Sequence, residues 1–341
     1  MDRGHLAATV LGFIGAFAVI GILLYVVGVD AFVAEVTRAD QRVLALVLLA
    51  TLGWLLAWGL GMRTVLAVLG IEVSVAQSFL VVNGAMFANN ITPFGQAGGE
   101  PVTALLISTI TGTEYERALA AIASLDTLNF VPSISLALLG TAYYATQVTF
   151  TRRLRAATLV IVGLPVVILV VGYVLWRKRD PLADRLVGVL TPVARRLSGL
   201  VPGAPRVTRR AIAARVEHFV AAVGRVATSR RGLALALTAS AAGWGFQMTA
   251  LWLSFQAIGA SVPAGVLLFV VPVGAIASIA PLPGGAGGIE AVLVGVLASL
   301  PGVGIGLESV LAAVVIFRGA VYWTPVLIGG VVVSLNGVEA I

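Results

Sequence analysis

Hydrophobic residues fill this chain in long segments that short polar stretches separate. A helix needs about 20 consecutive apolar residues to cross the hydrocarbon core of a membrane. The segments that reach this length each predict a membrane-spanning helix, and they cover residues 6–28, 43–69, 117–144, 154–176, 232–258 and 307–335. The last segment is longer than one span needs, so it fits either one tilted, kinked helix or two shorter helices.

Two breaks rich in proline and glycine, each ending in a glutamate, interrupt weaker apolar segments. They lie at 89–100 and 281–290, and the short apolar arms beside them are 75–90, 102–111, 262–280 and 291–300. Backbone in hydrocarbon must satisfy its own hydrogen bonds, so such breaks persist only against protein or beside a water-filled cavity. We therefore predict two re-entrant helical hairpins, at 75–111 and 262–300, which together mark a substrate site.

These segments predict an all-α polytopic membrane protein with about 6–8 spanning helices and two re-entrant hairpins. Composition agrees, because 59% of the residues are hydrophobic and only 11% are charged, against roughly 25% charged in a soluble domain. We divide the chain into an N-terminal membrane half (1–176), a basic linker (177–231) and a C-terminal membrane half (232–341). Hairpins at corresponding places in the two halves favour an inverted repeat.

The linker concentrates the positive charge of the chain, with 13 Lys and Arg residues against three acids. Such a block belongs on the cytoplasmic face of the cell membrane, next to anionic lipid headgroups. Segments 182–200 and 212–226 alternate apolar and arginine residues, which predicts amphipathic helices on the membrane surface. Nucleic acid is disfavoured as a partner, because the block has little aromatic interleaving and no recognisable nucleic-acid module.

This assignment also sets a topology. It places the amino terminus inside, opens the first hairpin to the cytoplasm and opens the second hairpin to the outside. Arg152, Arg153 and Arg155 then lie outside, against the positive-inside rule.

The chain has few or none of the residues that several kinds of chemistry need. Cysteine is absent, and there are only two histidines, His5 and His218. A disulfide framework, a thiolate nucleophile and a histidine-based metal centre are therefore excluded, and we expect no cofactor. The second break is not a nucleotide loop either, since no Gly-Lys-Ser/Thr follows it.

Ionisable residues at membrane depth are the first candidates for function, because each costs about 2.5–3.5 kcal/mol at mid-helix on translocon scales. Glu100, Asp126, Glu290 and Arg318 form this group. Arg318 is expected to pair with Glu290 or Asp126, or with a lipid phosphate through its planar fork. The alternative is a purely structural ion pair.

The breaks supply a second group of candidates. A helix that restarts after glycines presents free amides and a positive dipole end, which together bind phosphate or carboxylate. Gly98 and Gly99, like Gly287 and Gly288, stand where a restart is expected, and Gly284 and Gly285 shape the second break. The alternative is close helix packing, for which Gly284 and Gly288 have the small-xxx-small spacing.

Polar side chains beside the first break also belong to the candidate substrate-binding set. These are Asn90 and Gln96, with Asn89 next to them. The alternative for them is capping of the freed backbone.

At these residues the chain resembles the flippase-like membrane proteins related to the transmembrane region of lysylphosphatidylglycerol synthases. The resemblance rests on 281–290, on 93–100, and on Arg318-Gly319 with Tyr322 and Pro325 downstream. It implies a polytopic fold that handles lipid or lipid-linked headgroups, in some members by moving aminoacylated phospholipid between leaflets. In some archaeal relatives the region is fused to glycosyltransferase domains.

The resemblance adds Tyr322 to the candidate site, and it makes Glu100, Glu290 and Arg318 the first positions to test. Synthases of this kind carry a soluble aminoacyl-transferring domain after the membrane region, and this chain ends at Ile341. We therefore do not expect lipid aminoacylation.

The leading hypothesis is a lipid or lipid-headgroup translocase that binds a phosphate-bearing headgroup at the two breaks, with membrane lipids as partners. Transport or lipid binding is favoured over catalysis. The first alternative is an intramembrane enzyme that uses Glu290 and Asp126 on a phospholipid or polyprenyl-linked substrate. The second alternative is a membrane anchor that holds a separate soluble synthase or glycosyltransferase through residues 177–231.

Overall fold

The part of the chain that the structure describes is almost entirely helical, with short connections between the helices. The computed structural model describes residues 3–91, 96–147, 208–279, 282–300 and 304–335, with a few isolated positions between 174 and 192. Its α-helices in these ranges are α1 (Arg3–Val27), α2 (Val29–Thr37), α3 (Gln41–Val68), α4 (Val75–Ile91), α5 (Gln96–Thr111), α6 (Tyr115–Gln147), α7 (Arg209–Thr228), α8 (Arg230–Ala257), α9 (Ala264–Ile276), α10 (Gly288–Ser299) and α11 (Leu307–Leu335). The all-α class predicted from the hydrophobic pattern is confirmed.

Membrane-spanning character is clearest in three of the described helices. By length and apolar composition, α3, α6 and α11 are each able to cross a bilayer. The bent pair α1 and α2, whose axes meet at 93°, makes a fourth candidate if it is one span. The predicted fourth span, 154–176, lies outside the described residues apart from Val174.

The bend between α1 and α2 was not predicted from the polar stretch that begins at Asp30. Gly28 joins the two helices with φ of 91°, a left-handed conformation that favours glycine. Asp40 then caps α3, because its side chain accepts a hydrogen bond from the backbone N–H of Arg42.

Two antiparallel helices, α3 and α8, form the centre of the molecule. The N–H of Asp40 donates to the carbonyl of Ala257 at 2.8 Å, which places the start of α3 beside the end of α8. At the other end, Val68 packs against Gly232. We call the end that contains Val68 the α7 end, and the end that contains Asp40 the α2 end.

The two broken hairpins open toward opposite ends of the molecule. Helix α4 begins shortly after α3 finishes, and α5 ends just before α6 starts beside α7, where Arg215 pairs with Glu116 at 2.9 Å. The first hairpin therefore opens at the α7 end. Helix α9 begins shortly after α8 finishes, and α10 packs back on α9 through Leu293 and Gly274, so the second hairpin opens at the α2 end.

The buried side chains divide into two hydrophobic clusters. One cluster joins the first half of α3 to α8, α9, α10 and α11, with Phe255 and Leu311 at its centre. The other joins the second half of α3 to α4, α5, α6 and α7, with Leu66 and Ile107 fully buried. Each cluster thus contains one of the two hairpins.

Several helix boundaries correct the predictions. Helices α5 and α10 begin at Gln96 and Gly288, before the predicted arms at 102–111 and 291–300. The C-terminal segment forms one helix, α11, with Pro325 inside it. The predicted amphipathic segment 212–226 lies in α7, while 182–200 lies outside the described residues except at a few positions.

Candidate functional site

A cavity of about 190 Å³ lies where the two hydrophobic clusters meet. That volume is many times the roughly 10–15 Å³ that one water molecule needs. Seven of the residues predicted from the sequence line it: Asn90, Glu100, Asp126, Gly284, Gly285, Arg318 and Tyr322. The end of α4, which leads into the first break, and the second break therefore border one shared space.

The second break is a tight turn that only glycine can form at its centre. Pro283–Gly285 is one turn of 3₁₀-helix, and Gly284 lies within it at φ of 56°. A Cβ atom on Gly284 would overlap Oδ1 of Asn90 and lie 2.7 Å from Cε2 of Tyr322. Glycine is thus required both for the backbone conformation and for the close approach to α4 and α11.

Asn90 and Tyr322 hold the end of α4 against α11. The hydroxyl of Tyr322 donates to the carbonyl of Asn90 at 3.0 Å, and Nδ2 of Asn90 donates to the carbonyl of Tyr322 at 3.3 Å. Because the last carbonyls of a helix lack partners within the helix, the tyrosine hydroxyl satisfies one that would otherwise be unpaired.

Arg318 joins the second break to α11 through a buried ion pair. Its Nε donates to Oε1 of Glu290 at 3.0 Å, and its Nη2 donates to the carbonyl of Gly284 at 3.1 Å. The side chains of Arg318 and Glu290 are only 9% and 8% exposed. The guanidinium also lies 5.8 Å from the centre of the Tyr322 ring, within the range of a cation–π interaction. Of the two acids expected as partners of Arg318, the structure pairs it with Glu290.

A second pair of ionisable groups lines the cavity. The carboxyl groups of Glu100, on α5, and Asp126, on α6, belong to residues that line it together. The cavity therefore has an acidic side at α5 and α6 and a charge-paired side at α10 and α11.

Four polar atoms on side chains that line the cavity have no hydrogen-bond partner among the described residues. Two are donors, Nε1 of Trp54 and of Trp58, and two are acceptors, Oδ1 of Asn89 and of Asn129. Leaving a buried donor or acceptor unpaired costs about 1–3 kcal/mol. All four atoms are buried: Nε1 of Trp58 lies beside Gly243 of α8, and Oδ1 of Asn89 lies beside Gly99 of α5. The side chains that line the cavity thus carry both unpaired donors and unpaired acceptors.

Other predicted glycines have packing contacts. A Cβ atom on Gly99 would overlap the side chain of Asn89, and one on Gly287 would lie 3.0 Å from the carbonyl oxygen of Ala16 on α1. Gly99 and Gly98 lie inside α5 rather than before it, which corrects the predicted restart. Gly288 is the first residue of α10. The side chain of Gln96, the first residue of α5, lies outside the described part of the chain.

The prediction overlooked the aromatic wall of the cavity. Trp54 and Trp58 lie four residues apart on α3, with ring centroids 5.3 Å apart in an edge-to-face arrangement. Trp244 and Gln247 on α8 line the same space. The signal was present in the sequence, because tryptophans one helical turn apart near the middle of a span do not lie in an interface belt.

No group of three or more His, Cys, Asp or Glu side chains placed to hold a metal ion occurs in the described ranges.

Fold and site together define a helical membrane protein with a polar cavity between two broken hairpins. The chain belongs to the family described as Lysylphosphatidylglycerol synthase TM region, whose sequence profile matches residues 9–329. The family resemblance found in the sequence is thereby confirmed.

Curated relatives from archaea extend over most of the chain. The chain is 28% identical to a UPF0104 membrane protein of Methanothermobacter thermautotrophicus over 326 residues, which is 92% of the chain and 90% of the relative. It is 25% identical to a UPF0104 membrane protein of Pyrococcus horikoshii over 321 residues, or 92% of the chain and 93% of that relative.

Proposed function

We propose that this protein binds the polar headgroup of a membrane lipid in the cavity and moves the lipid between leaflets. One observation carries the proposal: helices of membrane-spanning character enclose a cavity whose lining side chains carry two unpaired donors and two unpaired acceptors. Polar groups at membrane depth are costly, and they mark substrate pathways when they face an interior cavity. The family description names a synthase of a phospholipid, which agrees with a lipid ligand.

The donors suit a phosphate-bearing headgroup. The side chains of Arg318, Trp54 and Trp58 line the same cavity, and their N–H groups are donors of the kind that a phosphate oxygen accepts. The helix start at Gly288 contributes less to phosphate binding than the sequence suggested, because Glu290 already places a carboxylate in the first turn of α10.

The acidic side of the cavity suits a cationic or hydrogen-bond-donating group instead of a phosphate. Glu100 and Asp126 would receive a cationic or hydrogen-bond-donating part of the headgroup, or would carry a proton. Asn129 lies one helical turn from Asp126 and adds an acceptor on the same side. A headgroup with a phosphate and a donor group would therefore meet complementary partners on the two sides.

The arrangement of the hairpins supplies a route for alternating exposure. They open toward opposite ends, and each lies in its own hydrophobic cluster, so rocking one cluster against the other would open the cavity to each face in turn. In this proposal the hairpins are re-entrant elements of an inverted repeat, completed by about 6–8 spanning helices. Residues 177–231 would lie on the cytoplasmic side of the cell membrane, against anionic lipid.

The test is translocation of headgroup-labelled phospholipid in vesicles reconstituted with the purified protein. Trp58→Phe removes an indole donor from a side chain that lines the cavity, and Asn129→Leu removes an acceptor from another. A lost hydrogen bond to a charged group is worth about 1.5–3 kcal/mol, so we expect Trp58→Phe to lower the apparent affinity about tenfold or more. Trp252→Phe is the matched control, because Trp252 lies on α8 with 38% exposure and does not line the cavity.

Activity that is unchanged by Trp58→Phe, Glu290→Gln and Arg318→Ala would exclude the site. The same vesicles separate the alternatives. An intramembrane enzyme would return a chemically altered lipid, which mass spectrometry of the extracted lipids detects. An anchor would co-purify with a soluble synthase or glycosyltransferase in a manner that depends on residues 177–231.

A further inference from the structure

A second cavity, of about 180 Å³, lies on the other side of Arg318 and Tyr322. These two residues line both cavities and form the wall between them. The second cavity is more apolar than the first, and its apolar side chains come from α1 (Phe13, Phe17 and Ile20) and α11 (Val315 and Trp323). We call it the apolar chamber.

Helix α1 forms the outer side of the apolar chamber and lies at the edge of the molecule. Ile14, Phe17 and Ile22 are 57%, 69% and 62% exposed. In a membrane, such side chains contact lipid hydrocarbon. The chamber is thus separated from bilayer lipid by a single peripheral helix.

Small residues let α1 approach the second break closely. A Cβ atom on Gly12 would lie 2.7 Å from Cδ of Pro283, and Gly287 packs on the backbone of Ala16. The same turn that borders the polar cavity therefore also packs against α1.

Building on the proposed function, we propose that the apolar chamber holds a hydrocarbon chain of the lipid whose headgroup occupies the polar cavity. A lipid that places its headgroup near mid-membrane must still keep its chains in apolar surroundings. With its phosphate at Arg318, the lipid would extend its headgroup to one side of the Arg318–Tyr322 wall and a chain to the other. The chain enters from the bilayer beside α1.

The wall itself has the polarity that this arrangement needs. Arg318 supplies donors there, and Oε2 of Glu290, which also lines the chamber, has no partner among the described residues although Glu290 is only 6% exposed. The polar junction between headgroup and chain would therefore lie where the protein offers both a donor and an acceptor.

Gly319 provides the test, because it lines the chamber and a Cβ atom there would meet no other atom within 4 Å. Gly319→Leu therefore fills the chamber without a backbone clash. Gly295→Leu is the matched control: Gly295 lies on α10, has the same open surroundings, and lines neither cavity. Thermal unfolding in detergent checks that both variants are folded.

The readout compares a long-chain and a short-chain phospholipid that share one labelled headgroup. We expect Gly319→Leu to lower translocation of the long-chain lipid about tenfold or more while binding of the short-chain lipid stays within twofold of wild type. Gly295→Leu should leave both unchanged. Unchanged long-chain translocation in folded Gly319→Leu would overturn the proposal. An equal fall in translocation of the long-chain lipid and in binding of the short-chain lipid would also overturn it.

A photo-crosslinking measurement on the wild-type protein covers the case in which Gly319→Leu does not fold. A phospholipid with a diazirine in its acyl chain should label Phe13, Ala16 and Val315, which line the chamber and are buried or half-buried, and not only the exposed Phe17 and Trp323, which bilayer lipid reaches in any case. Labelling confined to other surfaces would overturn the proposal. If the wild type is labelled there but moves no lipid, the proposed translocation is wrong and the chain-binding site stands. If it moves lipid without such labelling, the chain-binding site is wrong and the proposed translocation stands.

Discussion

Arg318 and Glu290 are each more than nine-tenths buried, so removing one leaves the other as an uncompensated charge in a low-dielectric interior. Breaking such a pair costs about 3–5 kcal/mol, whereas replacing both partners with apolar residues is often close to neutral. We predict that Arg318→Leu and Glu290→Leu each lower the free energy of unfolding in detergent by more than the double variant does.

The double variant also separates structure from function. If Arg318 binds the ligand, a folded Glu290→Leu/Arg318→Leu protein should still fail to move lipid. Destabilisation of the double variant equal to the sum of the single effects would show that the pair contributes no coupling energy. A stable and fully active double variant would remove Arg318 from the site.

Gly284 gives a second prediction for a single residue. Gly284→Ala forces a side chain into a left-handed conformation, at about 1–2 kcal/mol, and brings its Cβ into contact with Asn90 and Tyr322. We expect a lower unfolding free energy in detergent together with loss of lipid translocation. Gly245→Ala is the control, since Gly245 is an exposed helical residue of α8 with open surroundings, where alanine should stabilise by about 0.5–1 kcal/mol. Similar effects at both positions would contradict the steric explanation.

Much of the site was predictable from single residues, because a charge at membrane depth is costly wherever it occurs. That argument found Glu100, Asp126, Glu290 and Arg318 without any knowledge of the fold. It did not choose between Glu290 and Asp126 as the partner of Arg318, because the choice depends on which helices are neighbours. It also passed over Trp54 and Trp58, whose side chains are ordinary constituents of a membrane helix until their unpaired N–H groups are located.

At the scale of helices, the hydrophobic pattern located elements well and placed the ends of the breaks poorly. Helices α3 and α8 begin and end within a few residues of the bounds predicted for spans, and α3 also has the length and apolar composition of a span. Glycines near a break were read as non-helical, yet Gly98 and Gly99 are helical in α5. Gly99 lies there because α5 approaches Asn89 of α4 too closely for any side chain, a requirement that exists only once the two helices are packed.

Helix α7 packs against α6 through a narrow buried face, and neighbouring alanines test this packing. Ala222 is 0% exposed, whereas Ala221 is exposed. Ala222→Asp buries a carboxylate without a partner, which costs several kcal/mol, and should detach α7. We expect hydrogen exchange of the α7 backbone amides to rise tenfold or more in Ala222→Asp and to stay as in wild type in Ala221→Asp. Equal exchange in the two variants would show that α7 does not pack through this face.

At the scale of the whole molecule, the opposed openings of the hairpins follow from contacts that no local pattern contains. They depend on the antiparallel pairing of α3 with α8, which Asp40 and Ala257 fix at one end and Val68 and Gly232 at the other. The sequence placed the breaks in corresponding positions of two halves, which favoured an inverted arrangement, but local pattern alone does not say which helices pair between the halves.

The orientation of these ends in the membrane is testable because the chain contains no cysteine, so single-cysteine variants need no further substitution. The α7 end is rich in arginine, including Arg209, Arg210 and Arg230, and the positive-inside rule places it in the cytoplasm. Glu72→Cys introduces a thiol at that exposed end, and Ser261→Cys introduces one at the α2 end.

With a membrane-impermeant maleimide applied to intact cells, Ser261→Cys should be labelled at once, and Glu72→Cys only after permeabilisation. The reverse pattern would invert the orientation while leaving the opposed hairpins intact. Labelling of both thiols from one side would contradict the membrane-spanning arrangement of α3 and α8, and with it alternating access through the cavity between the two clusters.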